Sequence, residues 1–326
     1  MRKFICRIAI FVVCFVLLDL AIGFLCGFLR SHAKGGSTQN NYYIAEECKD
    51  DIIIFGSSRA ANHYIPSIIA DSLGMSCYNC GQEGDGSLLA FARLGMLTER
   101  HTPKLVIYEI TPRYDYLAGD DYTNHFRYLK PYYYKEAVHN IIDNFSAPEN
   151  RLMMLSSMYR NNFAILVYCV DNLMFRDNMK GYTPLYGEMK VQDKAKNGIG
   201  KKESETEKNV VDEKKFQVMN DIVSLCKQKN IPLLFVVSPN YRGMMDDKYD
   251  VARLLAQSND IPFLDYSGME GVTHNPIFFR DGVHMNDKGA RLYTERFISE
   301  IKKYIAPAES LLNQCSLENV ESLRNK

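Results

Sequence analysis

The stretch Asp51-Ile52-Ile53-Ile54-Phe55-Gly56-Ser57-Ser58-Arg59 decides how this chain is read. Its run of apolar β-formers fits a buried strand, Gly56-Ser57-Ser58 fits a tight turn, and Ala60 to Leu73 fits a helix leaving that turn. A serine so placed is presented at the edge of a sheet, near the positive end of a helix and backbone N–H groups able to receive an oxyanion. The pattern alone is not specific, because phosphate-binding turns and simple helix caps share it.

Working outward, Met75–Cys80, Lys104–Ile110, Ile231–Val237 and Ile261–Asp265 read as further strands. They alternate with helices at Ser87–Arg100, Glu213–Lys229 and Lys248–Ser258, and a last helix runs from after His284 to about Ile305. That rhythm predicts an α/β fold, a three-layer α/β/α sandwich on a parallel, flavodoxin-like sheet. Ligands bind such sheets beyond the carboxyl ends of the strands, where Ser58, Gly84, Arg113 and Pro239 should converge. Gly81, Gly84 and Gly86 lie close together after the second strand, which implies a backbone that something approaches closely.

Composition removes several classes of function. With 326 residues the chain can bury a full core, and its 39 basic residues balance 39 acidic ones, so no global field attracts nucleic acid. The nine cysteines form no disulfide framework, and Cys77-x-x-Cys80 has no second ligand pair, so neither a metal nor an organic cofactor is expected.

Ile8 to Leu29 is apolar and as a helix spans about 33 Å, enough to cross a hydrocarbon core. Asp19 near its middle would cost roughly 3 kcal/mol, which the surrounding Leu, Ile, Phe and Val residues outweigh. Arg2, Lys3 and Arg7 precede the run, so the positive-inside rule puts the N-terminus in the cytoplasm and the remaining chain outside. The expected organisation is a transmembrane anchor at 1–33, a linker and entry to the domain at 34–48 of which Lys34–Gln39 is flexible, an α/β domain at 49–306 and a tail at 307–326. A helical, tyrosine-rich insertion at about 115–212 interrupts the domain, either as a sugar-stacking lid or as a subdomain covering its own core. Its helices are expected near 134–145 and 150–175, with a charged loop from Gln192 to Val211.

Far downstream stands Phe279-Arg-Asp281-Gly-Val-His284-Met-Asn-Asp-Lys-Gly289. Asp281 and His284, three apart in a turn before a helix, can both reach back across the sheet. Ser58 needs a neutral imidazole to take its proton, and a carboxylate at the other ring nitrogen would fix the tautomer. His63, His125, His139 and His274 have no ligand pattern and read as structural or surface residues.

These blocks resemble the SGNH, or GDSL-like, hydrolase superfamily over roughly 50–115 and 215–305. Gly56-Ser57-Ser58 looks like its nucleophile block, with Ser57 replacing the usual aspartate. Asn79-Cys-Gly-Gln-Glu-Gly84-Asp looks like its second block, and the Asp281-to-Gly289 run like its last. The resemblance implies Ser58 as nucleophile, His284 as base, Asp281 as its partner, and the Ser58 and Gly84 N–H groups as oxyanion donors. One block departs: where the family has Gly-x-Asn-Asp, this chain has Glu109-Ile-Thr-Pro-Arg113-Tyr-Asp115, so the amide donor is missing. Arg113 is the candidate replacement or else pairs with a carboxylate, with Asn79 a second donor; Arg59 is a candidate to hold a substrate carboxylate or phosphate or else to pair within the site, and Asn79 is a candidate substrate contact.

The divergent block, anchor and insertion are similar to the membrane-tethered branch that acts in alginate-type acetylation and teichoic acid D-alanylation beside a membrane-bound O-acyltransferase. The expectation is therefore a serine esterase or O-acyltransferase of the cytoplasmic membrane, facing outward, acting on an acylated cell-surface carbohydrate. The rival is a degenerate, non-catalytic glycan-binding or assembly partner of such a transferase.

Overall fold

The computed structural model of the chain describes residues 1–119, 122–146, 148–162, 164–174, 179–190, 210–243 and 247–305. In chain order its main elements are α1 (Arg2–Ser31), α2 (Gly36–Tyr42), β1 (Ile52–Gly56), α3 (Ser58–His63), α4 (Pro66–Leu73), β2 (Cys77–Asn79), α5 (Ser87–Thr98), β3 (Leu105–Glu109) and α6 (Pro112–Asp115). There follow α7 (Glu136–Phe145), α8 (Pro148–Met153), α9 (Ser157–Arg160), α10 (Ala164–Leu173), α11 (Glu213–Gln228), β4 (Leu233–Val237), α12 (Asp250–Ser258), β5 (Phe263–Asp265) and α13 (Asp287–Ile305).

The five strands form one parallel sheet in the order β2-β1-β3-β4-β5. This is the flavodoxin-like order, whose reversal of winding direction falls between β1 and β3. Because successive side chains point to opposite faces, each apolar strand feeds two cores at once. Ile53, Phe55, Val106, Tyr108 and Phe235 pack under α5, α11 and α12. Ile52, Ile54, Leu105, Ile107 and Val236 pack under α3, α4 and α13. Both faces are covered, which is why β1 and β4 read as continuous apolar runs rather than as alternating ones.

The helix expected from Ala60 to Leu73 is instead two helices. Pro66 lacks an N–H and disfavours helical geometry in the residue before it; Tyr64 and Ile65 are extended, and α4 starts with the proline in its first turn. The break turns α4 away and leaves α3 as a short block under the nucleophile.

The segment between sheet strands β3 and β4 leaves and returns through an antiparallel bridge of Leu117 with Val211. Tyr132 and Tyr133 are buried with α7 in a cluster that the insertion shares with Ala45, α5 and Val218 of α11. The helical region expected near 150–175 consists of three helices, α8 to α10, and the 192–211 loop and the 307–326 tail lie almost wholly outside the described residues. The expected linker is also different: Gly36–Tyr42 is helical, followed by a single π-turn at Tyr43–Glu47. Asp171 on α10 tethers it, accepting from Thr38 N–H through its carboxylate and from Lys34 N–H through its carbonyl.

α1 is long and apolar enough to cross a membrane, and most of its large apolar side chains are exposed, compatible with a single-pass anchor or a signal sequence. Asp19 is not left bare: its carboxylate accepts from Ser156 Oγ and from the N–H groups of Ser157 and Met158 at 2.8 and 2.9 Å. The start of α9 thus supplies hydrogen-bond donors to the one carboxylate of α1.

Candidate active site

β1 delivers its last residue, Gly56, in a conformation with φ of 137°. A Cβ there would lie 2.6 Å from the Glu109 carbonyl oxygen, so glycine alone permits the strand to pass β3 and turn at once into α3. Ser57 caps α3 through its carbonyl, which accepts from Ala61 N–H, while its own hydroxyl is buried without a partner among the described residues. Ser58 follows as the first residue of the helix, half-buried and facing the loop before α13.

That loop is shaped by Asp281. One carboxylate oxygen accepts from the N–H groups of Val283 and His284 at 2.8 and 2.9 Å, closing a tight turn, and Arg280 N–H bonds back to the His284 carbonyl. The same carboxylate meets His284 Nδ1 at 2.9 and 3.1 Å, and His284 Nε2 lies 2.8 Å from Ser58 Oγ. A carboxylate only accepts, so Nδ1 carries the proton and the Nε2 lone pair faces the serine hydroxyl. Burial pushes the Asp281 carboxyl up, but the His284 ring and the two N–H donors outweigh it and hold the group at about 2. Asp281 is therefore ionised at any ordinary pH, as the partner of an imidazolium must be.

Behind this relay lies a buried polar network that sequence reading did not find. His63, at the end of α3, accepts from Met285 N–H at Nε2 (2.9 Å) and meets Ser238 Oγ at Nδ1 (2.7 Å). Ser238 donates its hydroxyl and its N–H to Glu109, which also accepts from Tyr64 Oη. Burial, then the neighbouring His284 and Arg59, lowers the His63 pKa well below its usual value and keeps the ring neutral, as accepting from an N–H requires. One histidine thus ties the helix bearing Ser58 to the residue after His284. Only its proximity to Ser58 in sequence hinted at this.

Two expected substrate contacts are corrected. Arg59 is 4% exposed and pairs with Glu109 at 3.1 Å, donating also to the Ile110 carbonyl and to Tyr249 Oη at 3.0 Å. Its guanidinium is internal framework, turned beneath the sheet's edge by the first turn of α3. Asn79 is 2% exposed; its amide donates to the carbonyls of Ala60 and Tyr64, and its carbonyl oxygen accepts from Gly81 N–H. With both donor hydrogens occupied it serves neither substrate nor oxyanion, and instead fixes the second-block loop against α3.

Gly84 sits in that loop's turn with φ of 73°, and its N–H has no acceptor among the described residues. Gln82 N–H bonds to the Gly56 carbonyl, which brings the loop alongside the nucleophile turn. Arg113, on α6, is exposed; its guanidinium lies over the Tyr114 ring, and among the described residues it has no carboxylate partner. A Cβ on Gly86 would strike the Tyr114 carbonyl, so α6 and the second-block loop are in close contact. The insertion's return also reaches the site: Thr183 N–H bonds to the Ala61 carbonyl, and the Gly187 carbonyl accepts from Asn286. Among the described residues no group of His, Cys, Asp and Glu could hold a metal ion.

No family model matches the chain, and no curated protein matches it. Among solved structures, a Bacteroides fragilis NCTC 9343 protein provisionally described as an acylhydrolase is 17% identical, covering 83% of this chain and 97% of its own at a TM-score of 0.38. The acetyl xylan esterase AlAXEase is 14% identical over 77% of this chain and 99% of its own, also at 0.38. A GDSL-like lipase of Bacteroides thetaiotaomicron VPI-5482 is 12% identical over 87% and 96%, at 0.32. These likenesses are distant, and the chemistry rests on the residues themselves.

Proposed function

We propose that the chain is a serine esterase or O-acyltransferase, anchored through residues 8–29 with its α/β domain outside the cytoplasmic membrane, acting on ester groups of a cell-surface carbohydrate. The observation that carries it is the continuous relay from Ser58 Oγ through His284 to Asp281, at 2.8 and 2.9 Å. Ser58 Oγ attacks the ester carbonyl carbon while its proton passes to His284 Nε2, and Asp281 stabilises the imidazolium. The N–H groups of Ser58 and Gly84 and the Arg113 guanidinium receive the oxyanion. Collapse expels the alkoxide, which takes the proton from His284 and leaves acyl-Ser58. Water then gives an esterase, and a sugar hydroxyl gives a transferase.

The sequence resemblance to tethered SGNH proteins supports the carbohydrate substrate and a membrane-bound O-acyltransferase as partner. One observation favours the non-catalytic rival: Glu109, next to where the family's amide donor stands, is fully buried and tied to Arg59. Acetate release from an acetylated polysaccharide, with and without an unmodified glycan as acceptor, separates the readings. Turnover that disappears in Ser58→Ala supports the enzyme; glycan binding unchanged by Ser58→Ala, with no ester cleaved, supports the rival.

A further inference from the structure

A cavity of about 480 Å³ opens away from the catalytic triad, where the end of α1 meets α2, α9, α10 and the tyrosine-rich segment before α7. Arg30, Arg127, Lys130 and Arg160 line it, and among the described residues no aspartate or glutamate does. Arg30 and Arg160 are held in place: Arg30 donates to Asn161 at 2.6 Å and stacks on Tyr132 and Tyr168, while Arg160 donates to the Met154 and Leu155 carbonyls. Arg127 is largely exposed and reaches Asp85 only at 3.8 Å. Lys130 lies over the Tyr159 ring and has no carboxylate partner among the described residues.

A second observation is independent of charge. Tyr132 and Thr38 both line the cavity, are 2% and 4% exposed, and carry hydroxyls with no hydrogen-bond partner among the described residues. Buried hydroxyls without partners are costly and uncommon in folded proteins. Two of them beside four cations make an unfilled set of donors, and a phosphate, rich in acceptor oxygens, is the group that satisfies such a set.

The position selects the source of that phosphate. Arg30 is the basic residue in the last turn of the apolar α1. Leu166, Val170 and Leu173 are exposed on α10, which packs along α1, and Leu152 on α8 and Leu155 after it are exposed as well. An exposed apolar fringe around a cationic cavity at the end of an anchor fits the boundary between acyl chains and headgroups.

We propose that this cavity binds the phosphate headgroup of an anionic membrane lipid, seating the insertion on the outer leaflet. The proposal rests on the reading of α1 as an uncleaved anchor. A lipid held there lies beside the second-block loop, since Tyr128, which lines the cavity, accepts from Gln82 at 3.3 Å.

The test is native mass spectrometry of the full-length chain in dodecyl maltoside, equilibrated with equal amounts of phosphatidylglycerol and phosphatidylcholine bearing the same acyl chains. The expected result is a preference for phosphatidylglycerol of about tenfold or more, the factor that one charge-assisted hydrogen bond supplies. Lys130→Gln with Arg127→Gln should abolish it, and Tyr132→Phe, which keeps the packing, should weaken it. Equal retention of the two lipids, or a preference that survives all three substitutions, overturns the site. Complete displacement by inorganic phosphate would show that the cavity reads the anion alone and overturns the lipid assignment. Alkaline extraction of native membranes reports on the anchor separately: a chain that stays in the membrane but shows no preference refutes only the cavity, whereas a released chain refutes the anchor.

Discussion

Replacing Arg59 by methionine keeps a straight apolar stem but removes the only cation paired with Glu109 among the described residues. Both side chains are almost fully buried, at 5% and 0% exposure. Breaking such a pair from one side leaves an uncompensated buried charge and typically costs about 3–5 kcal/mol. Glu109 retains Tyr64 Oη and Ser238 as donors, which places the expected loss near the lower end, about 3 kcal/mol. Burial already raises the Glu109 pKa, and removing Arg59 raises it further. A carboxyl with a raised folded-state pKa binds a proton that the unfolded chain has released, so its penalty grows as pH rises. The variant should therefore lose stability more steeply than the parent does as pH rises above the ordinary glutamate range. Adding Glu109→Gln to Arg59→Met should recover part of the loss. Urea unfolding of the full-length chain in detergent, followed by near-ultraviolet circular dichroism, reads these quantities. A loss under about 1 kcal/mol, the size expected of a surface pair, would refute the internal role, especially if KM rose while stability held.

Two further substitutions probe the framework around the relay. His63→Leu leaves the buried Met285 N–H without an acceptor, which should destabilise by about 1–3 kcal/mol; because that N–H adjoins His284, kcat should fall much more than KM rises, and equal changes in both would refute the positioning role. Asp115 is fully buried, and burial pushes its carboxyl up to about 7 against the Thr111 N–H and Tyr108 hydroxyl that favour the anion. The folded chain thus holds a proton that the unfolded chain releases near pH 4, so stability should fall as pH rises from about 4 to 7, by a few kcal/mol in all. Asp115→Asn should flatten that slope, and an unchanged slope in urea melts across this range would contradict the assignment.

The parts legible in the sequence are those set by local pattern. β1 and β4 are readable because each residue faces one of two cores, which leaves an uninterrupted apolar run. The Asp281 turn is readable because a three-residue spacing lets one carboxylate bind both its own backbone and the His284 ring. Burial is what local pattern hides. Arg59 and Asn79 stand where a substrate contact would, and only the packed structure shows their donors committed to Glu109, Ile110, Ala60 and Tyr64. The same holds for partners far away along the chain: Asp19 looked like a cost to insertion until Ser156–Met158 came to it, and Gly35-Gly36-Ser37 looked like a linker until Asp171 fixed the helix that follows. Pro66 is the one miss that local rules contained, since a proline inside a helical pattern marks a break.

The central claim is that Ser58 is an activated nucleophile, and intact mass after exposure to a fluorophosphonate tests it most directly. The full-length chain in native membranes, where any partner is retained, should acquire one adduct that maps to Ser58 and is absent from Ser58→Ala and His284→Ala. No adduct in those membranes, or labelling that persists without His284, would contradict the relay as the source of catalysis.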